Sequence, residues 1–336
     1  MSLRRILFAL LLPLALSACG GVGGDYFAPR YGIQDLALSP DGRVVAVRFL
    51  DRELRRSGFG LYDWKEERFT PIPSPWPDRN FSDASFSPDG KRLVAVSGNQ
   101  IVLIDLADFH VTQVTEGGQG FKETPTFLPD GSGVLYVLSN PARFVLLDLV
   151  DHQEKQMLDP LVGFGTISRP FFGAPDRIVF TAIAPRNPEL YVELDKFPDS
   201  RPDRDVHVYG MKFGEQPQLI LNNLWIEGKK RSRWFAGEGS LQASKDARQI
   251  VFIDYAPNPS GPGDNLDQEL FVIDDGALRQ LTHLNASLMA ATVSYDGSTV
   301  AVGCDSGHSM SHDLCVVEVK TGKLRKIGLL SDLRLN

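Results

Sequence analysis

One short turn motif recurs along the whole chain, and it constrains the fold more than any other feature. Its clearest copies read Ser39-Pro40-Asp41-Gly42 and Ser87-Pro88-Asp89-Gly90, and an apolar run follows each. Proline presets the first central turn position, aspartate can bond nearby backbone groups, and glycine accepts the positive φ that leads into the next strand. Counting degenerate copies there are six, with turn aspartates Asp41, Asp89, Asp130, Asp176, Asp246 and Asp296. Each copy therefore predicts a tight hairpin.

Each copy also contains a second predicted hairpin, so the repeat unit has four strands. Examples are residues 101–106 with 111–115 and residues 314–319 with 324–327. The run after each turn, such as residues 44–47, is apolar at consecutive positions, which is typical of a strand covered on both faces. The turn aspartates are spaced by 48, 41, 46, 70 and 50 residues, with a mean of 51. Six such units predict an all-β fold, a six-bladed β-propeller of four-stranded antiparallel blades.

The repeat resembles that of the TolB-like family of propellers. The resemblance is carried by the Phe-Ser-Pro-Asp-Gly turn, the apolar strand after it and a closing strand that ends in Gln-Leu-Thr; residues 86–96, 101–115 and 268–282 match best. It covers residues 32–328. It implies a propeller and leaves the function open, because the repeat occurs in hydrolase domains and in plain binding modules. The α/β domain that TolB carries before its propeller is not expected, since about seven residues precede the first repeat after a glycine run.

The N-terminus predicts a lipoprotein signal peptide. Two arginines precede an apolar run over residues 6–16, which has the length of a signal-peptide core and is too short to span a membrane. The run leads into Leu16-Ser17-Ala18-Cys19, which resembles the bacterial lipobox and so implies cleavage before Cys19 and acylation of its thiol and amine. Gly20, where an aspartate would favour the inner membrane, favours the outer membrane of Gram-negative bacteria. An ordinary secretory signal with a chance cysteine is the alternative.

These features divide the chain into four predicted parts. They are the signal peptide (1–18), the lipidated cysteine with a glycine-rich tether (19–31), the propeller (32–328) and a C-terminal tail (329–336). Two closures of the ring are compatible with the sequence. Either each blade supplies its own four strands, or residues 26–31 pair with the outer edge of the last blade.

The two remaining cysteines predict a disulfide. Cys304 and Cys315 flank a loop between two β-like runs. Hairpin-related positions can bring two Cβ atoms within bridging distance, and the periplasm is oxidising. We therefore predict a Cys304–Cys315 bond, with two buried thiols as the alternative.

A propeller has two faces, and connection lengths can be assigned to them from the repeat alone. The turns between first and second and between third and fourth strands lie on one face, here called the tight-turn face. The second-to-third and blade-to-blade connections lie on the other, here called the long-loop face. The long segments all fall on the long-loop face: residues 49–58, 73–82, 183–205, 222–239, 255–267 and 304–313. Insertions gathered on one face of a repeat protein are typical of a binding face.

The segment 222–239 combines tryptophans with basic residues in an acidic protein. Trp and Arg are enriched at interface hot spots, so we predict that this segment binds a partner. The candidate binding residues are Trp76 of segment 73–82 together with Trp225, Lys229, Lys230, Arg231, Arg233, Trp234 and Phe235. Two alternatives stay open: tryptophans that cover the propeller edge beside a solvated basic run, and contact with lipid headgroups.

Composition and motifs favour a non-enzyme without a cofactor. The net charge of −7 lacks the basic excess of a nucleic-acid-binding protein, so no nucleic-acid partner is expected. The sequence contains no Gly-x-Ser-x-Gly elbow, phosphate loop, dinucleotide fingerprint or zinc-protease motif. His308 and His312 belong to a segment more typical of a solvated polar loop than of a metal site, so no metal is expected.

The predicted function is that of a lipid-anchored, periplasm-facing propeller, held at the outer rather than the inner membrane. It serves as a protein–protein interaction module or accessory subunit of a cell-envelope complex, and binds an envelope protein through the long-loop face. The alternative is an enzyme or a carbohydrate- or peptide-binding propeller with a site at the mouth of the central channel. Inward-facing acidic or histidine side chains at matching positions of several blades would indicate that alternative. A structural component of a larger assembly is the third hypothesis.

Overall fold

The computed structural model describes the chain from residue 31 to residue 327 with gaps. The described ranges are 31–51, 56–118, 120–139, 142–157, 167, 170–174, 177–183, 206–212, 215–221, 225–226, 229–230, 242–244, 248–257, 266–274, 277–284, 288–305 and 312–327. The predicted signal peptide, the lipidated Cys19 and the predicted C-terminal tail lie outside them. Within these ranges no helix has the length and apolar character needed to cross a bilayer.

The described strands form six four-stranded antiparallel sheets, each made of consecutive strands. Blade 1 contains β1 (Tyr31–Leu38), β2 (Val44–Asp51), β3 (Arg56–Asp63) and β4 (Arg68–Pro71). Blade 2 contains β5 (Phe81–Phe86), β6 (Arg92–Ser97), β7 (Gln100–Asp105) and β8 (Val111–Gln113). Blade 3 contains β9 (Lys122–Phe127), β10 (Gly133–Leu138), β11 (Arg143–Asp148) and β12 (Glu154–Met157).

The second half of the chain repeats this order. Blade 4 contains β13 (Phe171–Ala174), β14 (Arg177–Ile183), β15 (Val206–Lys212) and β16 (Gln218–Leu221), and a hairpin of β17 (Trp225–Ile226) and β18 (Lys229–Lys230) follows it. Blade 5 contains β19 (Gln242–Ala243), β20 (Gln249–Pro257), β21 (Leu266–Asp274) and β22 (Ala277–Gln280). Blade 6 contains β23 (Leu288–Val293), β24 (Thr299–Asp305), β25 (His312–Glu318) and β26 (Leu324–Ile327). The predicted six-bladed β-propeller is confirmed.

The recurring turn forms because its serine and aspartate close the hairpin. In the first copy the Ser39 hydroxyl donates to Asp41 Oδ1 at 2.6 Å, and that oxygen also accepts a backbone N–H two residues further on at 3.1 Å. Gly42 has a φ of 69°, in the left-handed region that glycine adopts without steric cost. The copies at Asp89 and Asp296 repeat the serine–aspartate hydrogen bond at 2.6 Å. The tight hairpins predicted at these copies are therefore confirmed.

These turns should make stability sensitive to acid. Hydrogen bonds from the Ser87 hydroxyl and the Lys91 N–H hold the pKa of Asp89 below its ordinary value. A carboxyl group whose pKa is lower in the folded state stabilises the fold at pH values above its unfolded-state pKa, which is about 3.9. This stabilisation is lost as pH falls through the folded-state pKa. We expect Asp89→Asn to destabilise the protein at neutral pH and to show a smaller further loss on acidification, measured by thermal unfolding. The exposed Asp78→Asn is the control, and an Asp89→Asn profile parallel to wild type would contradict the prediction.

Each described blade boundary is filled by its own buried cluster. On β6, Leu93 and Ala95 pack towards blade 1, whereas Val94 and Val96 pack towards blade 3. Both faces of the strand are therefore covered, which accounts for the consecutive apolar positions in the sequence. The first strand of each blade lies nearest the central axis, because β1 contacts both β5 and β23. The six first strands thus surround the central channel.

The boundary between blade 6 and blade 1 closes the ring, and we call it the seam. Its buried cluster joins Leu36 and Val47 of blade 1 to Leu314 and Val316 of blade 6. Blade 6 is built from its own four consecutive strands, in agreement with the first of the two predicted closures. Residues 26–30, which the other closure would use, lie outside the described residues.

Polar groups also cross the seam. At its inner end the Leu38 N–H donates to the Thr292 hydroxyl at 3.3 Å. At its outer rim Arg325 of blade 6 pairs with Glu67 of blade 1, and its guanidinium lies 5.8 Å from the ring centroid of Trp64. Polar contacts near the channel and at the rim therefore join the first and last blades.

Candidate functional site

The long-loop face carries fewer long connections than the sequence predicts, because several strands continue into them. β2 and β3 reach Asp51 and Arg56, so the predicted segment 49–58 leaves only residues 52–55 between strands. The predicted segments 255–267 and 304–313 shrink in the same way, to residues 258–265 and 306–311. These three predicted boundaries were wrong.

The Phe49–Gly58 pair shows why strand pairing extends through a charged stretch. Phe49 is 1% exposed and lies opposite Gly58 in the β2–β3 ladder. A Cβ on Gly58 would overlap the Phe49 ring, so glycine makes room for a buried aromatic side chain at this position. Of the charged residues in this stretch, Asp51 and Arg56 stand at the strand ends, and Arg52, Glu53 and Arg55 lie outside the described residues.

Three of the predicted segments remain as connections between strands: residues 72–80 between β4 and β5, 184–205 between β14 and β15, and 222–241 between β16 and β19. Within residues 222–241, β17 and β18 form a hairpin in which Trp225 pairs with Lys230 and Ile226 with Lys229. The structure thus brings the predicted residues Trp225, Lys229 and Lys230 together on one hairpin. The other predicted residues of this segment, Arg231, Arg233, Trp234 and Phe235, lie outside the described residues.

Trp76 lies in the connection between β4 and β5. Its side chain is half-buried against the cluster between blades 1 and 2, and the Arg79 guanidinium lies 5.4 Å from its ring centroid. The Ser74 hydroxyl donates to its carbonyl at 3.0 Å and fixes the turn. Trp76 therefore belongs to the blade 1–2 side of the ring, whereas the β17–β18 hairpin follows blade 4. Among the predicted residues with described positions, Trp76 is thus separated from the hairpin residues along the ring of blades.

The Cys304–Cys315 disulfide is present, as predicted, with a Cα–Cα distance of 6.0 Å. The two cysteines are not directly opposite: Cys304 pairs with Asp313 and Cys315 with Val302, so the bond runs diagonally between β24 and β25. Both are buried in the cluster between blades 5 and 6. The disulfide therefore staples the second and third strands of the last blade.

Acidic side chains occupy the first strands of blades 1 to 3, around the channel. Asp35 on β1 and Asp83 on β5 each precede the turn aspartate of their blade by six residues. The Asp35 carboxylate accepts the Ala84 N–H of the next blade at 3.0 Å. On β9, burial and then the nearby charge of Asp83 raise the pKa of Glu123, against a hydrogen bond with Ser139. Asp35 and Asp83 share one position of the repeat, whereas Glu123 precedes Asp130 by seven residues, so the matching positions of the channel-mouth alternative carry carboxylates in two of these blades.

The backbone at these positions is also unusual. Asp83, Thr124 and Ala290 have φ values of 53°, 49° and 45°, and each lies six residues before a turn aspartate. Their strands change register there against their neighbours. A non-glycine residue in the left-handed region costs about 1–3 kcal/mol, and such residues cluster at functional sites. The strain recurs in blades 2, 3 and 6 at one level of the channel.

The opposite end of the channel, at the tight-turn face, contains a small aromatic-lined cavity of about 50 Å³. Its walls are Thr126, Phe127, Pro129, Phe171, Phe172, Ala243 and Tyr295, from blades 3 to 6. The Tyr295 hydroxyl donates to the Phe86 carbonyl of blade 2 at 3.4 Å, so this side chain reaches past blade 1. Burial raises the pKa of Tyr295 to about 12. The cavity offers mainly apolar contacts.

Among the residues with described positions, no three His, Cys, Asp or Glu side chains are arranged to hold a metal ion. His312 is part of β25, and His308 lies outside the described residues.

The sequence reasoning did not single out the channel residues. Aligning the repeats on their turn aspartates would have placed Asp35 and Asp83 at one position. The same alignment places Tyr295 where four other copies have Pro40, Pro88, Pro129 and Pro175. An alignment of the repeats could therefore have pointed to Asp35, Asp83 and Tyr295.

No family model matches this sequence, and no curated protein matches it. Solved structures do share the fold. A putative TolB from Agrobacterium tumefaciens superposes with a TM-score of 0.57 at 14% identity, over 81% of this chain and 88% of that one. TolB from Acinetobacter baumannii gives 0.52 at 19% identity, over 92% of this chain and 65% of that one. A puromycin-hydrolysing peptidase from Mycobacterium tuberculosis gives 0.55 at 15% identity, over 92% and 54%.

These similarities establish the fold. The chain has the β-propeller fold that these TolB structures share, as the repeat predicts. It spans about two thirds of the length of the Acinetobacter TolB and about half that of the peptidase. The similar structures include a hydrolase as well as TolB proteins, so the fold is compatible with both the binding and the enzymatic hypotheses.

Proposed function

We propose that the protein is a lipid-anchored, periplasm-facing propeller that binds another cell-envelope protein through its long-loop face, as an interaction module or accessory subunit. The observation that carries this proposal is the hairpin of Trp225, Lys229 and Lys230, which lies within a long connection on that face. Hot spots of protein interfaces favour tryptophan, and basic side chains steer an acidic partner. A propeller supplies the rigid scaffold from which such connections bind.

Two further observations support the envelope location. The lipobox-like sequence at Cys19 provides the anchor, and Gly20 favours the outer membrane. The Cys304–Cys315 disulfide suits an oxidising compartment such as the periplasm.

The proposal predicts that partner binding depends on the hairpin segment. In pull-downs from solubilised envelopes, we expect the Trp225→Ala/Trp234→Ala variant and the Lys229→Glu/Lys230→Glu variant to recover much less partner than wild type. The matched control is Lys320→Glu/Lys323→Glu, which reverses two exposed charges in the β25–β26 turn of the tight-turn face. Equal recovery by the hairpin variants and the control would refute the long-loop face as the binding surface.

A second candidate is a ligand site at the channel mouth, which the carboxylates of Asp35, Asp83 and Glu123 favour. Charged side chains near one another on strained strands are unfavourable for folding and are retained where function needs them. A binding site for a carbohydrate or peptide, or an active site, would use them as hydrogen-bond acceptors or as an acid–base pair.

The raised pKa of Glu123 gives this candidate a measurable signature. Its ionised form is disfavoured in the folded state, so the residue destabilises the fold above its folded-state pKa and ceases to do so as pH falls below its unfolded-state pKa, about 4.3. We expect Glu123→Gln to raise the melting temperature at pH 7, with the gain vanishing at low pH. Glu116→Gln, at an exposed position, controls for net charge. A lower melting temperature for Glu123→Gln at pH 7 would show that the carboxylate stabilises the channel instead.

A further inference from the structure

The direction of the first strand fixes where the chain enters the propeller. β1 runs from Tyr31, paired with Asp51, to Leu38, paired with Val45. Its end leads into the Ser39 turn on the tight-turn face, so its start lies on the long-loop face. The last strand ends at Ile327, paired with Leu314. Because β26 begins at the tight turn after β25, its end lies on the long-loop face. The chain therefore enters and leaves the propeller on the long-loop face.

The first strand also belongs to the innermost ring. β1 is an end strand of its sheet and contacts β5 and β23, the first strands of the neighbouring blades. The chain therefore enters beside the channel mouth, in the middle of the long-loop face, and not at the rim. Any anchor attached before Tyr31 is tied to the centre of this face.

The length of the tether decides which face can lie against a membrane. Residues 19–30 are 12 in number and span at most about 40 Å when fully extended. As a flexible coil they reach about 20 Å. To bring the tight-turn face to the membrane, the tether would cross three strand spacings, about 14 Å, and then pass the height of an eight-residue strand, about 26 Å. Contact of the tight-turn face with the membrane would therefore need the fully extended tether. Contact of the long-loop face with the membrane needs no extension of the tether.

We infer that the long-loop face is the membrane-proximal face of this protein, and that the partner it binds is a protein anchored to or embedded in the same membrane. The inference rests on the lipid anchor of the proposed function. It follows from the position of Tyr31 and from the tether length. The basic hairpin residues Lys229 and Lys230 lie on the same face, where anionic headgroups attract positive charge.

Fluorescence quenching by labelled lipid tests the orientation. The mature lipidated protein is reconstituted into vesicles whose headgroups carry a quencher, with a fluorophore on one introduced cysteine. Asp78→Cys reports the long-loop face and Val150→Cys the tight-turn face, and both positions are exposed. The native Cys304–Cys315 pair is bonded and buried, so labelling is confined to the introduced thiol.

We expect the label at position 78 to lose most of its fluorescence and the label at position 150 to keep it. Insertion of a long Gly/Ser stretch after Gly24 should reduce the difference, because a longer tether frees the orientation. Equal quenching at both positions, or stronger quenching at position 150, would overturn the inference while leaving the anchor in place. A protein that fails to associate with the vesicles, or a Cys19→Ser variant that associates as well as wild type, would instead overturn the proposed lipid anchor.

Discussion

Leu314→Ala should lower the free energy of unfolding by about 2–5 kcal/mol, the range for a leucine truncated in a packed core. Leu314 is completely buried on β25 and belongs to the cluster that fills the seam with Leu36 and Val47. The substitution removes buried apolar surface and leaves a cavity. It does so at the seam, where blades 6 and 1 meet without a blade-to-blade connection between them. Chemical denaturation of wild type and variant measures the difference.

Val150→Ala is the control for this prediction. Val150 is 89% exposed in the turn between β11 and β12, so its truncation should change stability by less than about 0.5 kcal/mol. Leu147→Ala, at a buried position between blades 2 and 3, tests whether the seam differs from a connected boundary. If Leu314→Ala costs no more than Val150→Ala, side-chain packing does not hold the ring closed.

Removal of the disulfide should have the second large effect. The bond joins residues 11 apart in sequence, and a loop of that length predicts a stabilisation of about 3 kcal/mol from the restricted unfolded chain. Because Cys304 and Cys315 are 2% and 1% exposed, Cys304→Ala/Cys315→Ala also loses packing between blades 5 and 6. We expect a clearly lower melting temperature for the double variant.

Reducing agent provides the matched comparison. Wild type unfolded in a reductant should approach the stability of Cys304→Ala/Cys315→Ala, whereas the reductant should not change the variant. A thiol count of two in the unfolded, non-reduced mature protein, in excess of any thiol at Cys19, would show that the bond is absent. An unchanged melting temperature in the double variant would show that strand pairing alone holds this blade.

Much of the fold follows from local chemistry and could be predicted. The turn at Asp89 needs only Ser87, the aspartate and Gly90, all within four residues, so a short motif determines its geometry. Strand ends depend on more distant groups. The extension of β2 and β3 depends on the fit of Phe49 against Gly58, which lies nine residues away and is not evident from the charges between them.

The candidate site was less predictable for a related reason. Trp225 and Lys230 attract notice by residue type, and the structure adds only that they pair. Asp35, Asp83 and Glu123 are ordinary residues of their own blades, and the cited contacts between them form only when consecutive blades pack side by side. The strands of each blade can be predicted from a single sequence, but the side-chain contacts between neighbouring blades cannot.

The Tyr295 hydrogen bond to Phe86 has a mechanical consequence. It joins blade 6 directly to blade 2 and so links them without passing through blade 1. Separation of the first and last blades would have to break this hydrogen bond as well as unpack the buried cluster of the seam. The tight-turn face of the ring thereby gains a further link between blades, and local opening should begin at the outer rim, where Arg325 meets Glu67 in water.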